Sequence, residues 1–534
     1  MPTLRFPTLA VILTILLQLF FFDHCQAMPE AESTHQERPN IVFIWIDTLR
    51  ADSLGCYGYQ RDTSPHLDQL AKDSTLFLNN FTPHTVTLSS FMSIITGLYP
   101  FSHGVLDIAK DFLSPKVKTL AEILKMNGYT TFWYGPNGDP HLDPAVGFGR
   151  GFDVLGIFDN NNLSAGRAKI LRVIEQHKNE NFFINFHSYF VHAPYIPSAQ
   201  YKYRFTKQKS VGLTESYEEL EKATVEMIKK GVINKEKLSY TILGAELSEE
   251  MATANLFDPD YKIATRKVKS FLQSKNAIHM YDNIYNQVYE LGIKPEDREN
   301  ITYAKSLYDA GILEFDTEII GPVIKKLKDL GLYENTMIII CADHGEEFGE
   351  HGGSGHGRSL YEEVTRVPLI IKTAGKTKAK IIRELSQTVD IMPTILGLLH
   401  INPPYHCQGI NFAPLINETG PFVSRKYVYG QMPYYSSIRT DTWKIHIFKG
   451  YQSFSWLPVS VGTLIFGKKE LFNLQADPGE TNNLYYQQND IRDELTTQLD
   501  VWEKGLKNYQ DKDYSFKPNI DATTKEKIKK TGYW

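Results

Sequence analysis

Runs of consecutive apolar, β-branched and aromatic residues recur along the chain, at Asn40–Ile46, Tyr129–Tyr134, Asn181–Phe186, Thr336–Ala342 and Val367–Lys372. They are too short to span a membrane and are typical of strands buried on both faces of a parallel sheet. Helical stretches lie between them, including Thr119–Met126 and Asp316–Leu330. Strands that alternate with helices predict the α/β class, with a central, mostly parallel sheet flanked by helices. Because ligands of such sheets bind at the carboxyl ends of the strands, residues that follow these runs are the first candidates for a site.

The region 202–299 has a different composition: Lys and Glu are frequent, and strand-like runs are absent. Tyr217, Leu220, Thr224, Met227 and Ile228 recur there at helical spacing. This pattern predicts a helical insertion, which is either a packed surface subdomain or a lid over a substrate cleft.

Beyond about Ser424 the strand-like runs are short and a polar helical tail follows them. The runs are Tyr435–Arg439, Trp443–Phe448 and Lys469–Leu474. They predict a small C-terminal antiparallel sheet. The expected organisation is therefore an α/β domain over 39–423, which contains the insertion, and a C-terminal subdomain and tail over 424–534.

The N-terminus has the features of an export signal. Arg5 precedes an apolar segment from Phe6 to Phe22, and Cys25-Gln26-Ala27 suits cleavage before Met28. We therefore expect a signal peptide over 1–27, a polar tether over 28–38, and a secreted, periplasmic or otherwise extracytoplasmic protein. The alternative is an uncleaved anchor, because about 17 apolar residues are at the lower limit of a membrane span. Membrane contact is expected only in that case.

Charge and cysteine content narrow the function classes. The 534 residues carry a net charge of -5, which argues against a nucleic-acid partner. Of the four cysteines, Cys25 leaves with the signal, so Cys56, Cys341 and Cys407 form an odd set. No disulfide framework is implied, and the three thiols are expected to be buried.

Two hydrophobic runs are followed by residues that can bind a metal. Asp47 ends the first run, although a lone Asp there could also cap a helix. Asp343 and His344 follow the run at 336–342 and begin a segment rich in His, Glu and Gly that extends to Arg358. Metal ligation is the simplest interpretation of that segment. Mixed oxygen and nitrogen ligands suit zinc, manganese or iron better than calcium or magnesium.

Thr87 begins a third segment that could take part in catalysis. Leu88, Phe91, Met92 and Ile95 form an apolar helical stripe after it, and Gly97 is a plausible stop. A hydroxyl at a helix N-terminus lies where a tetrahedral anion is favoured, so Thr87 could attack one. Taken alone, the segment is equally compatible with a simple threonine N-cap.

Further motifs place these segments in a known family. They are Asn40–Asp52, Gly55–Tyr59, Thr63–Asp68, Thr96–Pro100, Asp343–Gly345, Leu360–Glu362, Arg366–Pro368 and Glu470–Glu480. Together they resemble the sulfatase family of the alkaline phosphatase superfamily over most of 38–200 and 300–485. The resemblance implies an alkaline-phosphatase-like fold and a metal held by Asp47, Asp343 and His344, with Thr87 as nucleophile and remaining protein ligand.

The chain departs from the usual sulfatase pattern at two places around the metal. Thr48 stands where a second Asp is common, and His344 often corresponds to Asn. These departures resemble phosphonate monoester hydrolases and phosphoethanolamine transferases, which use one metal with an Asp-His pair. We therefore expect one divalent metal ion, zinc or manganese rather than calcium.

The largest departure from the usual sulfatase pattern is at the position of the nucleophile. Formylglycine maturation is expected to require Cys or Ser, then Pro or Ala two residues later and Arg four residues later, but this chain has Thr87, Ser89 and Phe91. Threonine cannot give the aldehyde. A threonine hydroxyl whose pKa is lowered by coordination can attack phosphorus, whereas a sulfated threonine would lack the hemiacetal route of release. The substitution favours phosphoryl transfer.

The resemblance also suggests groups that act on the substrate. His192 corresponds to a histidine that faces the ester, with His187 as the second choice. His356 or Arg358 lies where relatives place a group that protonates the leaving oxygen or clamps the anion. Asn137 is a candidate for substrate contact.

Several functions fit these residues. The leading hypothesis is an exported, metal-dependent hydrolase of phosphate, phosphonate or sulfate esters, with an anionic glycan, lipid or small molecule as substrate. A phosphoethanolamine-type transferase would pass the same intermediate to another acceptor, and a true sulfatase would need chemistry without formylglycine. A non-catalytic anion-binding homologue is the last alternative, which the intact set of Asp47, Thr87, Asp343 and His344 disfavours.

Overall fold

The computed structural model describes residues 38–106, 111–136, 146–158, 162–193, 195–207, 298–375, 378–405, 407–433, 435–448 and 469–506. The predicted signal, most of the tether, Asn137, and residues 208–297 of the predicted insertion over 202–299 lie outside these ranges. The chain divides into Met1–Pro39 and Asn40–Trp534, and the fold below is that of the second unit. No helix within the described ranges is both long enough and apolar enough to cross a membrane.

The main element is an eight-stranded sheet, whose strands in chain order are β1 (Asn40–Ile46), β2 (Thr75–Phe77), β4 (Thr130–Pro136), β5 (Val154–Phe158), β6 (Phe182–Ser188), β7 (Thr336–Cys341), β10 (Leu369–Lys372) and β11 (Lys380–Ile382). Their order across the sheet is β11-β2-β10-β7-β1-β6-β4-β5. All neighbouring pairs are parallel except those of β10, which runs antiparallel to β7 and β2. The predicted mostly parallel α/β sheet is therefore confirmed.

Smaller strands complete the described chain. β3 (Asn80–Phe81) pairs with β12 (Ser386–Gln387), and β8 (Glu347–Phe348) forms a hairpin with β9 (Ser354–Gly355). The predicted C-terminal antiparallel sheet is also present, as β13 (Val428–Gln431), β14 (Tyr435–Arg439), β15 (Trp443–Phe448) and β16 (Glu470–Asn473).

Helices flank the main sheet and the C-terminal sheet. The described α-helices are α1 (Pro65–Ala71), α2 (Thr87–Thr96), α3 (Pro100–His103), α4 (Leu120–Met126), α5 (Leu163–Gln176), α6 (Ala199–Lys202), α7 (Arg298–Phe315), α8 (Gly321–Asp329), α9 (Glu362–Thr365), α10 (Ile391–Leu398), α11 (Ala413–Asn417) and α12 (Asn489–Gly505). A π-helical turn, Asp316–Ile320, joins α7 to α8. The predicted helix over 316–330 is thus the end of a longer helical segment that begins at Arg298.

The central strand β1 shows why its sequence is apolar throughout. Ile41, Phe43 and Trp45 pack into the core on one face of the sheet, and Val42, Ile44 and Ile46 pack into the core on the other. All seven residues of β1 are buried. A strand with water on neither face gains from apolar residues at every position, at about 25 cal/mol for each Å² of apolar surface removed from water.

His351, in the turn between β8 and β9, joins this hairpin to α9 and to the segment that follows β16. Its Nδ1 donates to Glu363 Oε1 at 2.6 Å, and its Nε2 lies 3.1 Å and 3.2 Å from the carbonyl oxygens of Gly479 and Glu480. Both ring nitrogens face acceptors, so both carry protons and the ring is an imidazolium. Burial alone would lower the pKa of His351, but Glu363, Glu480 and Glu347 outweigh it and raise the pKa to about 9.

This contact predicts a loss of stability at alkaline pH. A histidine whose folded pKa exceeds its unfolded value stabilises fully below about pH 6.5, and that stabilisation is lost as the pH rises through about 9. His351→Gln should therefore cost on the order of 2 kcal/mol more at pH 6 than at pH 10. Urea unfolding of both proteins at the two pH values measures this difference.

His66→Gln, which replaces an exposed histidine, is the control for the loss of a histidine in general. Burial raises the pKa values of Glu347 and Glu480 to about 7, inside this window, so the test is the difference between the two proteins, both of which carry these carboxyl groups. A destabilisation by His351→Gln that is equal at both pH values would contradict a charged His351.

Candidate active site

The site forms where β1 and β7 end side by side. Register pairs Trp45 of β1 with Cys341 of β7, so Asp47 and Asp343, each two residues farther on, reach the same point beyond the sheet. The adjacent residue His344 joins them, and one ligand atom from each of the three side chains lies within 4.8 Å of the others. All three residues are fully buried. The carboxyl edge of the sheet thus holds the candidate site that the sequence predicted.

Helix α2 brings Thr87 to this edge. Thr87 is the first residue of the helix and is 6 % exposed. The helix ends at Gly97, whose φ of 65° is left-handed, as the predicted stop requires. Ser90 Oγ donates to Asp343 O at 2.5 Å, which ties the first turn of the helix to the segment after β7.

The Thr87 hydroxyl lies between two of the candidate ligands. Its Oγ1 is 3.3 Å from Asp47 Oδ2 and 3.3 Å from His344 Nε2. His344 Nε2 is also 3.4 Å from Asp343 Oδ2 and 3.9 Å from Asp47 Oδ1. The four side chains therefore surround one small volume with three carboxylate oxygens, a hydroxyl and an imidazole nitrogen.

The donor set fits a divalent cation. Among the described residues, Asp47 Oδ1 and Asp343 Oδ2 are buried without a hydrogen-bond donor, which is costly for a carboxylate unless a cation compensates it. His344 Nδ1 donates to Gly345 O at 3.0 Å, so Nε2 is the nitrogen with a lone pair. No second group of three such side chains occurs in the part of the chain that the structure describes.

The pKa directions agree with this interpretation. Burial raises the pKa of Asp47 well above its ordinary value, and the nearby Asp343 raises it further. Burial lowers the pKa of His344, so its ring is neutral at pH 7. Two crowded carboxylates and a neutral imidazole are an arrangement that a divalent metal stabilises and that protons alone satisfy poorly.

The turn after Asp47 is held by Tyr308, a residue that the sequence did not single out. Thr48 has a φ of 56°, a left-handed conformation that costs energy for a β-branched residue. Tyr308 of α7 holds this turn, because its hydroxyl donates to Thr48 O at 2.9 Å and accepts from Arg50 N at 2.8 Å. Thr48 Oγ1 donates to Asp47 O, so this side chain supplies no ligand in place of a second Asp.

His356 and His192 lie beside the candidate ligands. The His356 ring is 4.3 Å from the His344 ring and 4.9 Å from the His192 ring. His192 Nδ1 donates to Ala193 O, and His356 Nδ1 donates to Glu346 Oε1 at 2.8 Å. Burial lowers the pKa of each ring to about 4, so both are neutral at pH 7. An anionic ester beside either Nε2 would favour protonation of that ring.

Arg358 follows His356 on a loop that packs against the residues before Thr87. A Cβ on Gly357 would lie 3.2 Å from Val86 Cγ2, and Thr85 Oγ1 donates to Ser359 O at 3.0 Å. The half-buried guanidinium of Arg358 makes no hydrogen bond or ion pair within the described ranges. It is therefore available to an anion, although the structure gives it no direct contact with Thr87.

His187 lies beside the candidate metal ligands. Its ring is fully buried and stacks on Trp45 at a centroid distance of 3.5 Å, and its Nε2 lies 3.7 Å from Asp47 Oδ2. This position suits a residue that orients the Asp47 carboxylate, and the contact of His187 with substrate stays a prediction. Asn137, the other proposed substrate contact, lies outside the described residues.

Phe91, four residues after Thr87, is surrounded by other aromatic rings. Phe91 packs against Trp45 at a centroid distance of 3.9 Å, against Phe148 at 4.2 Å and against Trp133 at 5.5 Å. The side of α2 beneath Thr87 is therefore an apolar cluster, where a guanidinium would be buried without a carboxylate partner.

Comparisons with known proteins agree with the geometry. The Sulfatase family model matches residues 39–401, and the model for the C-terminal part of N-sulphoglucosamine sulphohydrolase matches residues 349–505. An N-acetylglucosamine-6-O-sulfatase of Bacteroides thetaiotaomicron is 26% identical over 92% of this chain and 90% of its own length.

Solved structures share the fold at low identity. A protein in complex with its substrate D-glucosamine-2-N,6-O-disulfate is 21% identical, with a TM-score of 0.63 over 88% of this chain and 98% of its own. The phosphonate monoester hydrolase of Silicibacter pomeroyi is 19% identical, with a TM-score of 0.62 over 88% of this chain and 96% of its own. The resemblance inferred from the sequence motifs is confirmed: the chain belongs to the sulfatase family.

Proposed function

We propose that this protein is an exported, metal-dependent ester hydrolase that transfers a phosphoryl or phosphonyl group first to Thr87 and then to water. The observation that carries the proposal is the position of Thr87 Oγ1, 3.3 Å from both Asp47 Oδ2 and His344 Nε2. Export is supported by the apolar segment Phe6–Phe22 and the small residues before Met28.

A divalent cation held by Asp47, Asp343 and His344 would act as a Lewis acid that lowers the pKa of the Thr87 hydroxyl and polarises the ester. Thr87 loses its proton to solvent, and its Oγ1 forms a bond to phosphorus while the bond to the leaving oxygen breaks. The bound anionic ester favours uptake of a proton from solvent at His356 Nε2, which then gives that proton to the leaving oxygen, and Arg358 is placed to bind the anion. Water then attacks the same phosphorus and releases Thr87.

The residues around Thr87 support phosphorus over sulfur as the reacting centre. A phosphorylated threonine is released by attack of water on phosphorus, whereas a sulfated threonine lacks the elimination available to a hydrated aldehyde. The apolar packing of Phe91 also leaves no cation four residues beyond the nucleophile. Zinc or manganese suits the mixed ligands better than calcium does.

Hydrolysis of sulfate esters on amino sugars is the second candidate. It is supported by the relative named N-acetylglucosamine-6-O-sulfatase and by the match to the C-terminal part of N-sulphoglucosamine sulphohydrolase. A transferase differs from the leading proposal only in the acceptor, since an alcohol would replace water in the second step.

A panel of p-nitrophenyl esters separates these candidates. We expect the zinc- or manganese-loaded protein to cleave p-nitrophenyl phosphate, phenylphosphonate or phosphodiester at least about 10-fold faster in kcat/KM than the sulfate, because only the phosphorus intermediates are released readily. Release of p-nitrophenol with and without an added alcohol distinguishes hydrolysis from transfer. A faster reaction with the sulfate would favour the second candidate.

A further inference from the structure

We infer that Glu346 is a positioning residue which, together with Tyr195, fixes His356 so that Nε2 is the ring nitrogen presented to substrate. This inference rests on the proposed function, because it assigns a role to His356 in the reaction of Thr87. Neither Glu346 nor Tyr195 belongs to the group of side chains that could hold the metal.

The hairpin brings Glu346 and His356 opposite each other. Its register pairs Glu347 with Gly355, so Glu346 and His356 form the next pair at the open end of the hairpin. Gly355 and Gly357 have φ values of 80° and 78°, in the left-handed region that favours glycine. His356 is thus held between two backbone turns that other residues would strain.

Both carboxylate oxygens of Glu346 are used to hold side chains. Oε1 accepts from His356 Nδ1 at 2.8 Å, and Oε2 accepts from the Tyr195 hydroxyl at 3.0 Å. The backbone of Glu346 is fixed as well, because its carbonyl accepts from Arg50 Nη1 at 2.9 Å. Arg50 is itself paired with Asp52 and Glu350. Tyr195, Glu346 and His356 therefore form a connected chain of hydrogen bonds from the core to the site.

The consequence for His356 follows from the chemistry of imidazole. Since Nδ1 must carry a proton to donate to Glu346, Nε2 is left without a hydrogen bond inside the described part of the chain. A carboxylate behind a histidine also stabilises the imidazolium that forms when the ring handles a proton. A fully buried carboxylate is expensive for stability, which favours a role of this kind over a purely structural one.

A double-mutant cycle tests the inference, with Glu346→Ala, His356→Ala and the pair. The probes are the p-nitrophenyl and unsubstituted phenyl esters of whichever acid the ester panel identifies. Phenol needs a proton as it leaves more than p-nitrophenol does, so Glu346→Ala should lower kcat for the phenyl ester by about 10-fold or more and for the p-nitrophenyl ester by far less. In the His356→Ala background the same change should have almost no further effect.

Several readouts separate this role from damage to the fold. Metal content should equal that of wild type, and the shape-conserving Glu346→Gln and Tyr195→Phe should shift the ratio of the two esters in the same direction by less. Asp316→Asn is the matched control, because Asp316 is also fully buried and accepts from His66 N and Leu67 N, both at 2.8 Å. That variant should leave the ester ratio unchanged.

The inference is overturned if Glu346→Ala slows both esters equally, if its effect persists in the His356→Ala background, or if it removes the metal. Each of these results would place Glu346 in the fold or the metal centre. Failure of the proposed function is a separate outcome, which would appear as turnover that survives loss of the Thr87 hydroxyl.

Discussion

Replacing Thr87 by Ala is expected to reduce turnover by about 10³-fold or more while sparing the fold and most of the bound metal. The reason is that Thr87 supplies the attacking oxygen, whereas Asp47, Asp343 and His344 remain to hold the cation. Thr87→Ser should keep part of the activity, since only a methyl group is lost. Steady-state kinetics on the preferred p-nitrophenyl ester and metal analysis of each purified variant give the comparison.

The same helix offers a control for the substitution. Thr96 is buried at the opposite end of α2, and its Oγ1 donates to Met92 O at 2.6 Å. Thr96→Val and Thr87→Val both replace a hydroxyl by a methyl group, so their difference isolates the position. Turnover that survives in Thr87→Val would instead favour a mechanism in which water attacks the ester directly.

Metal removal should have an effect of similar size. A strong chelator should abolish activity, and zinc or manganese should restore it better than calcium does, because the ligands combine two carboxylates with an imidazole. Asp343→Asn should weaken metal affinity by about 100-fold or more, since loss of a direct ligand exceeds the effect of losing an outer-shell partner. Titration of the chelated protein with each metal measures both affinity and recovered activity.

The metal-free proteins give an independent check on the same site. The nearby Asp343 contributes to the raised pKa of Asp47, so the two carboxylates destabilise each other when no cation is bound. Metal-free Asp343→Asn should therefore be at least as stable in urea as metal-free wild type, although it binds metal poorly. Asp316→Asn, which removes a buried carboxylate elsewhere, should lose stability with or without metal. Full activity in the presence of the chelator would contradict the account.

The parts of the site that lie at the ends of strands could be predicted from the sequence. Asp47 and Asp343 each follow a continuous apolar run, and parallel strands bring such residues to one edge. The apolar stripe of α2 places Thr87 near the start of a helix, and its assignment as nucleophile came from the resemblance to the sulfatase family. These features are local in sequence, and the rule that joins them is general.

Other parts depend on contacts that no local pattern reports. The link from Tyr195 through Glu346 to His356 joins a loop after β6 to the two ends of a short hairpin. The serines of α2 are buried in the fold, where Ser90 bonds to Asp343 O and Ser93 to His103. Tertiary partners therefore decide what those hydroxyl groups do.

Strand β5 and helix α7 are among the elements that the sequence did not predict. Strand β5 is an edge strand with exposed Val154, Leu155 and Ile157, and Gly156 interrupts its apolar run. Edge strands lack the double-sided burial that made the other runs conspicuous. Helix α7 (Arg298–Phe315) adjoins the predicted insertion, and the Lys- and Glu-rich composition that marked the insertion gave no clear signal for this helix.

The central claim is that Thr87 becomes covalently modified during turnover. The most direct measurement is rapid acid quench of the zinc- or manganese-loaded full chain during turnover of p-nitrophenyl phenylphosphonate, followed by mass spectrometry of the peptide that contains Thr87. The account predicts a phenylphosphonyl group on Thr87 that is absent from the chelated protein and from Thr87→Ala. Turnover with Thr87 unmodified at every quench time, or with the adduct on another residue, would contradict it.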